Sequence, residues 1–257
     1  MAIYIEGNKK IKNIFANVNG EKKSISSAWV NRDGIPTKVF QLGDDGKKTD
    51  QHEVAPANEY SDWNYSLDDN ENIITLNYYI GTKTDVIVYA NYEIDGKAYK
   101  TQIIDSSLSS KYMFSKTNVT SIVFSNILDT RNIKTVDGMF SQCKQLKSID
   151  FGNNFNTSNV TSMNSMFYYC TSLTNINLSC FDTHNVTLMP NMFYYCSSLI
   201  NLNLSTFNTA NVINMRAMFA GCSKLKTIYV TENKWSTLNA DTYNMFNNCG
   251  TSSVTYK

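Results

Sequence analysis

Cysteines are the residues of this chain whose type and spacing most suggest metal or redox chemistry. Five of the six lie three residues after the phenylalanine of a Met-Phe pair: Cys143, Cys170, Cys196, Cys222 and Cys249. Zinc sites draw closely spaced ligands from each segment, as in C-x-x-C, and the sequence contains no such pair. We therefore expect free thiols in an apolar core, with disulfides between neighbouring repeats as the alternative. The sequence indicates no metal and no cofactor.

The remaining candidates for nucleophilic or acid–base chemistry are few. Cys180 lies outside the register of the other cysteines and is the candidate reactive or intermolecular thiol, an inert thiol being the alternative. His52 lies in a polar stretch. His184 aligns with Ser158 and Ala210 of other repeats, so its position does not require an imidazole, and a general base also needs a positioned partner. We expect no catalytic residue.

Paired carboxylates, the requirement for glycoside hydrolysis, are also missing from the predicted outer face. If the repeats stack, the outward positions of their strands form columns, and Asp150 is the only acid in these columns. The equivalent positions are mainly amides. A carbohydrate-active enzyme is therefore only a remote alternative to a non-enzymatic protein.

A repeat of 26 or 27 residues organises more than half of the chain, and such periods are typical of solenoids. Within one unit, Met163, Met166, Phe167 and Cys170 have the spacing of one helix face, and the segment from Ile176 to Leu178 alternates like a half-buried strand. Pro190 predicts where its helix begins. Each unit is thus predicted to be one strand, a polar corner and a short helix. The Met-Phe pairs are Met113-Phe114, Met139-Phe140, Met166-Phe167, Met192-Phe193, Met218-Phe219 and Met245-Phe246.

Three consecutive units resemble the leucine-rich repeats of BspA-like bacterial surface proteins. They read FNTSNVTSMNSMFYYCTSLTNINLS, FDTHNVTLMPNMFYYCSSLINLNLS and FNTANVINMRAMFAGCSKLKTIYV. The resemblance covers roughly residues 113–250. It implies an α/β solenoid, a leucine-rich-repeat-like stack of strand-plus-short-helix units. That family is defined by its scaffold and includes adhesins and surface lipoproteins.

Small antiparallel β modules are predicted before the solenoid. Residues 1–42 form a glycine-punctuated β meander, with hairpin turns at Asn19-Gly20 and Asp33-Gly34. It resembles modules of phage tail-associated proteins, and a generic β-hairpin domain is the alternative. Residues 43–62 are a predicted linker, and 63–110 a β cap with a hairpin turn at Asp95-Gly96. Residues 111–257 are the predicted solenoid with its carboxyl-terminal cap.

Charge and hydropathy exclude two classes of partner. A formal net charge of +1 lacks the basic footprint of a nucleic-acid-binding protein. No apolar run approaches the ~20 residues that a membrane helix needs, so we expect no membrane insertion. The amino terminus lacks the apolar block of a secretory signal. Either a signal has been removed or the protein leaves its cell without one.

Two surfaces are candidate ligand-binding sites. The first is the outward face of the strands, whose residues would lie about 4.8 Å from their neighbours. The second is a group of tyrosines in two adjacent units, where other units have small or polar residues; padding between units is the alternative role. The first comprises Asp150, Asn175, Asn177, Asn201, Asn203 and Tyr229, and the second Tyr168, Tyr169, Tyr194 and Tyr195.

The sequence therefore predicts a recognition protein that binds a bacterial cell-surface protein or glycan through its solenoid. The resemblance of the amino-terminal strands favours a phage or phage-derived tail component on a virion tail or extracellular particle. That module would contact other tail or surface-structure subunits, with a homo-oligomer as one expectation. The alternative is a BspA-like adhesin that is secreted or displayed on the bacterial surface.

Overall fold

The chain divides into two compact units, residues 1–52 and 53–257. The computed structural model describes residues 15–18, 21–24, 27–32, 35–41, 54–55, 59–103, 112–152 and 154–257. In the first unit, β1 (Phe15–Val18) pairs antiparallel with β2 (Glu21–Ser24), and β3 (Ser27–Arg32) with β4 (Ile35–Gln41). This pairing agrees with the predicted hairpins. The predicted turns themselves, and residues 43–53 and 56–58 of the predicted linker, lie outside the described residues.

A small sheet opens the second unit. After a 3-10 turn at Glu59–Asp62, the chain forms β5 (Trp63–Asp68), β6 (Ile73–Tyr79), β7 (Asp85–Val88), β8 (Asn91–Ile94) and β9 (Lys97–Ile103). Four of these strands form a sheet in the order β5-β6-β9-β8. Asp95 and Gly96, with φ of 51° and 77°, make the predicted turn between β8 and β9. No helix among the described residues is long and apolar enough to cross a membrane.

The solenoid consists of six rungs, which we number 1 to 6 by their Met-Phe pairs. Five of the six rungs have a strand about eight residues after that pair, and these strands lie in two separate parallel sheets, β11-β10-β7 and β12-β13-β14, the first of which includes β7 of the small sheet region. Rung 3 has no strand, because its segment 173–178 is irregular. The continuous ladder expected from the sequence is therefore interrupted there. The solenoid strands are β10 (Ser121–Phe124), β11 (Ser148–Asp150), β12 (Asn201–Asn203), β13 (Thr227–Val230) and β14 (Thr255–Tyr256).

Stacked phenylalanines form the centre of the core. Phe140 lies on Phe167 with ring centroids 5.4 Å apart and planes 8° apart, and Phe167 lies on Phe193 in the same way. The phenylalanines of rungs 1 to 5 are fully buried. A single rung cannot shield such a ring on both faces, so the rungs stabilise one another by stacking.

The prediction of a short helix in each rung is wrong. In rung 3 the backbone N–H of Phe167 donates to the carbonyl of Met192, at 2.9 Å, and that of Tyr169 to the carbonyl of Tyr194, at 2.8 Å. In an α-helix those groups would bond four residues back along the chain. Here every second N–H reaches the next rung instead.

Two residues with left-handed backbone in each of rungs 2 to 6 explain why no helix forms there. In rung 3 they are Ser165 (φ 56°) and Tyr169 (φ 57°), which end two successive turns. A right-handed helix cannot continue through φ near +57°. The inward side chains are nevertheless those predicted: Met163, Met166, Phe167 and Cys170 are all fully buried. The hydrophobic pattern identified the buried face correctly, whereas the backbone that carries it consists of turns.

Pro190 is compatible with this backbone, although no helix begins there. The residues that match Pro190 in rungs 3 and 5, Asn164 and Arg216, donate their N–H only to side-chain oxygens. Proline at such a position removes no backbone–backbone bond between rungs.

Buried threonines tie the rungs together at the opposite corner. The Thr183 hydroxyl donates to the Asn208 carbonyl at 2.9 Å and accepts from the Asn208 N–H at 2.7 Å. Thr157 makes the same two bonds to Asp182. Each hydroxyl therefore satisfies both backbone groups of one residue in the next rung. The members of this threonine ladder are Thr130, Thr157, Thr183 and Thr209, all 0–1% exposed.

Four of the five cysteines in register, Cys143, Cys170, Cys196 and Cys222, are buried core residues as predicted, and Cys249 is partly buried. All six thiols are free. Those of Cys170 and Cys196 donate to the carbonyls of Phe140 and Phe167 in the preceding rung. Burial raises the pKa of both well above the usual value. Burial also raises the pKa of Cys180 to about 11, so its thiol is mostly protonated at neutral pH.

Candidate functional site

The turn that follows each Met-Phe pair positions the tyrosines. In rung 3 the Cys170 N–H closes this turn on the Phe167 carbonyl at 3.1 Å, and Tyr168 and Tyr169 occupy its two central positions. Rung 4 repeats the turn with Tyr194 and Tyr195. Because the flanking phenylalanine and cysteine point into the core, the central side chains lie on the outside.

Stacking of the two rungs arranges the four rings in two parallel columns, which we call the tyrosine ladder (Tyr168, Tyr169, Tyr194 and Tyr195). The centroids of Tyr168 and Tyr194 are 5.0 Å apart with planes 7° apart. Those of Tyr169 and Tyr195 are 4.8 Å apart with planes 3° apart. Tyr195 is 37% exposed and the other three are partly exposed. The sequence prediction that these residues lie together is correct in geometry; their role as a ligand site remains a prediction.

A glycine in rung 5 accommodates the edge of the ladder. A Cβ atom on Gly221 would come within 2.5 Å of the Tyr195 ring, so only glycine fits beneath it. Tyr195 is therefore covered by Tyr169 on one face and by the Gly221 backbone on the other.

Two ladder residues have an unfavourable backbone conformation. Tyr169 and Tyr195 have φ of 57° and 56°, where a large side chain is uncommon. The matching residues Gln142, Gly221 and Asn248 also have positive φ, and glycine or asparagine tolerates it at less cost. Retaining tyrosine here opposes local backbone preference, which is a feature associated with functional surfaces.

The phenol groups of Tyr168, Tyr169 and Tyr194 are neutral hydrogen-bonding groups at physiological pH. Desolvation within the stack, followed by the nearby phenols, raises the pKa of Tyr168 and Tyr194 above the ordinary tyrosine value. Each hydroxyl can therefore both donate and accept a hydrogen bond.

The other predicted surface, the strand face, has mainly structural contacts. Asp150, Asn177 and Asn203 each accept a bond from the backbone N–H two residues later, at 2.9, 3.1 and 3.1 Å. Such side chains close a local turn. Tyr229 lies under the Lys257 ammonium, 3.6 Å from the ring centroid.

The strand face is also not continuous. Asn175 and Asn177 belong to the irregular segment of rung 3, whereas Asp150 lies in β11 and Asn201 and Asn203 lie in β12. Asn175 makes a long bond of 3.4 Å to Thr174. The structure thus places the four tyrosines together and divides the predicted polar columns between two sheets.

One acid–base pair was not predicted from the sequence, and the structure shows that its two residues belong to the same turn. His184 Nδ1 lies 2.7 Å from Asp182 Oδ1, which also accepts the His184 N–H at 3.1 Å. Both side chains are about half exposed. Asn156 with Ser158 and Asn208 with Ala210 make the same turn in other rungs, so the pair follows from the corner geometry. Among the described residues, no group of three or more His, Cys, Asp or Glu could hold a metal ion.

Comparisons with solved structures and curated proteins returned few matches. One is a leucine-rich repeat protein of T. pallidum, with 16% identity, a TM-score of 0.43, and coverage of 69% of this chain and 85% of that one. Another is a leucine-rich cell-surface protein of Faecalibacterium prausnitzii A2-165, with 20% identity, a TM-score of 0.43, and coverage of 67% and 42%. No curated protein matches.

None of these findings supports the predicted resemblance to phage tail-associated proteins. The family comparison is more specific, since one family model matches residues 107–235, half of the chain. The chain belongs to that family, which is described as Mycoplasma protein of unknown function, DUF285.

Proposed function

We propose that this chain is a non-enzymatic recognition protein of the bacterial surface, of the adhesin type, and that it binds a partner through the tyrosine ladder. The observation that carries this proposal is the placement of Tyr169 and Tyr195 on left-handed backbone, where rungs 1, 2, 5 and 6 have lysine, glutamine, glycine and asparagine. Tyrosine is enriched at the centres of protein interfaces, because its ring buries a large area and its hydroxyl bonds the partner.

The ladder favours a protein over a glycan as its partner. A sugar ring binds to tyrosine by lying on an open ring face. In the ladder, the facing rings cover one face of each tyrosine, and Gly221 covers the second face of Tyr195. Ring edges and hydroxyls are therefore prominent on the surface, and these suit side chains and backbone groups of a protein.

A surface adhesin is proposed here in preference to a phage tail component. The tail interpretation depended on the amino-terminal strands, and no finding supports it. The predicted contacts of the amino-terminal module with other subunits involve side chains outside the described residues and stay a prediction.

The test exchanges the four tyrosines for the residues of neighbouring rungs in the full chain: Tyr168→Ser, Tyr169→Gln, Tyr194→Ala and Tyr195→Gly. Attachment to a panel of intact bacterial envelopes is compared before and after protease or periodate treatment of the envelopes. We expect the quadruple variant to lose attachment at least ~10-fold, because central aromatic residues dominate interface energies. Attachment should be sensitive to protease and resistant to periodate.

Tyr112→Ser is the matched control. Tyr112 is also exposed, at 39%, and its ring lies against Gly138 as Tyr195 lies against Gly221. This variant should attach as the parent protein does. Equal attachment by the quadruple variant would refute the proposed site, and sensitivity to periodate alone would replace the protein partner with a glycan.

A further inference from the structure

Four columns of hydrogen-bonded peptide groups run through the solenoid, all pointing the same way. In each column the C=O of a peptide group faces rung 1 and its N–H faces rung 6. The clearest column joins the Met-Phe peptides at 2.9–3.0 Å. Its bonds are Phe114 N–H to Met139, Phe140 to Met166, Phe167 to Met192, Phe193 to Met218 and Phe219 to Met245.

Rung 6 ends all four columns with unused donors. The last bonds of the columns reach the carbonyls of Asp241, Tyr243, Met245 and Asn247. The N–H groups of the next residues, Thr242, Asn244, Phe246 and Asn248, therefore point out of the end of the solenoid. Among the described residues, no hydrogen-bond acceptor meets them. Aligned peptide dipoles leave partial positive charge at such an end, as at the start of a helix.

The opposite end of the solenoid packs against the β cap. There the Tyr79 N–H of the β cap donates to the Met113 carbonyl at 2.8 Å. The rings of Trp63 and Tyr79 cover Phe114, with centroids 5.4 and 5.8 Å from it. The Met113 carbonyl and the Phe114 ring of rung 1 thus both have partners in the β cap.

A groove lies beside the four free donors. Its volume is about 540 Å³, and its apolar lining comes from Trp235, Met245, Phe246 and Val254. Phe246 is partly exposed, although the equivalent phenylalanine of every preceding rung is fully buried. Thr242, Asn244 and Phe246, three of the four donor residues, line the same groove, so these donors and the apolar surface form one site.

We propose that the end formed by rung 6 binds a polypeptide segment of a partner protein, which adds to the solenoid as a further rung. Alternate backbone carbonyls of the segment accept from the four N–H groups, and its apolar side chains cover Phe246. The chemistry is that of strand addition, in which backbone bonds give affinity and pockets give specificity. This site is separate from the tyrosine ladder and goes beyond the proposed function.

Two other occupants fit the site less well. An inorganic anion would meet the donors but leave the apolar groove exposed to water. A second copy related by a twofold axis would face the donors of rung 6 with an identical row of donors. A head-to-tail copy would need the Met113 carbonyl, which already accepts from Tyr79. A peptide segment supplies both acceptors and apolar side chains.

Amide hydrogen exchange of the full chain tests the proposal residue by residue. In the free protein, we expect the amides of Thr242, Asn244, Phe246 and Asn248 to exchange at least ~100-fold faster than those of Met215, Ala217, Phe219 and Gly221, which are bonded. The probe is a synthetic peptide with the sequence of residues 207–230, with serine in place of its cysteine. It should slow exchange of the four amides at least ~10-fold, and a scrambled peptide should not.

Two variants test whether the probe peptide binds in the groove beside rung 6. Ser252→Arg places a bulky side chain at an exposed position in the groove lining and should abolish the protection. Ser179→Arg, at an exposed position in rung 3, should leave it intact. The quadruple tyrosine variant should also bind the probe, so failure of one site is distinguishable from failure of the other.

Four results would overturn the proposal. They are slow exchange of the four amides in the free protein, no protection by the probe, protection by sulfate alone, and protection that increases with protein concentration without the probe. The third would indicate an anion site, and the fourth would indicate a second copy.

Discussion

Replacing Thr183 by valine should destabilise the protein more than replacing it by serine, although valine is the closer match in shape. Thr183 is fully buried, and its hydroxyl serves both backbone groups of Asn208, at 2.9 and 2.7 Å. Valine would leave that N–H and that C=O without their partner. Each such loss costs about 1–3 kcal/mol. Because Asn208 is half-buried and water can reach it in part, we expect a total of about 2–4 kcal/mol.

Serine keeps both bonds and loses one methyl group, which costs about 1 kcal/mol. Thr161→Val is the control, because Thr161 is exposed and its hydroxyl makes one long bond of 3.3 Å. It should change stability by less than about 0.5 kcal/mol. Urea unfolding of the full chain, followed by circular dichroism, measures all three variants. If Thr183→Val were as stable as Thr183→Ser, the threonine ladder would not hold the rungs together.

Three further predictions concern single positions. Tyr195→Gly should be more stable than Tyr195→Ala by about 0.5–1 kcal/mol in the same urea assay. Glycine relieves the strain of the left-handed backbone (~1–2 kcal/mol), and this gain exceeds the cost of the entropy that glycine adds to the unfolded chain (~0.4–1 kcal/mol). Greater stability of the alanine variant would show that the backbone at this position is not strained. Leu202→Ala should cost about 2–5 kcal/mol, because this side chain is fully buried in β12; a cost below ~1 kcal/mol would mean that the stacked core closes the cavity. Cys180 should react with iodoacetamide about 100-fold more slowly at pH 7.5 than a thiol of pKa 9, and its rate should keep rising to about pH 11; a plateau near pH 9 would show that burial does not raise its pKa.

The sequence was sufficient to predict the solenoid and its buried face. The period of 26 or 27 residues fixed the number of rungs, and Met166, Phe167 and Cys170 lie in the core as the spacing predicts. The clustering of the tyrosines also followed from the sequence alone, because residues one period apart must lie side by side in a solenoid.

The short helix could not be excluded from periodicity, because two successive turns with left-handed residues bury the same i, i+3, i+4 and i+7 positions as a helix. The signal that distinguishes the two is compositional. Gly138 and Asn191 share one left-handed column, and Gly221 and Asn248 share the other. Tyrosines in rungs 3 and 4 hide this signal in the second column. The tyrosines that made the left-handed positions difficult to recognise from the sequence are thus the residues that form the candidate site.

The left-handed residues connect the two proposed sites physically. Because they interrupt the helix, alternate peptide groups turn parallel to the solenoid axis and bond to the next rung. The same turns place Tyr169 and Tyr195 outside, one rung apart. Parallel peptide groups cannot satisfy themselves within a rung, so the last rung must present donors without acceptors. A scaffold built this way displays side chains along its length and exposes backbone N–H donors on rung 6. The exchange rates of the four rung 6 amides therefore test the backbone geometry on which both proposals depend.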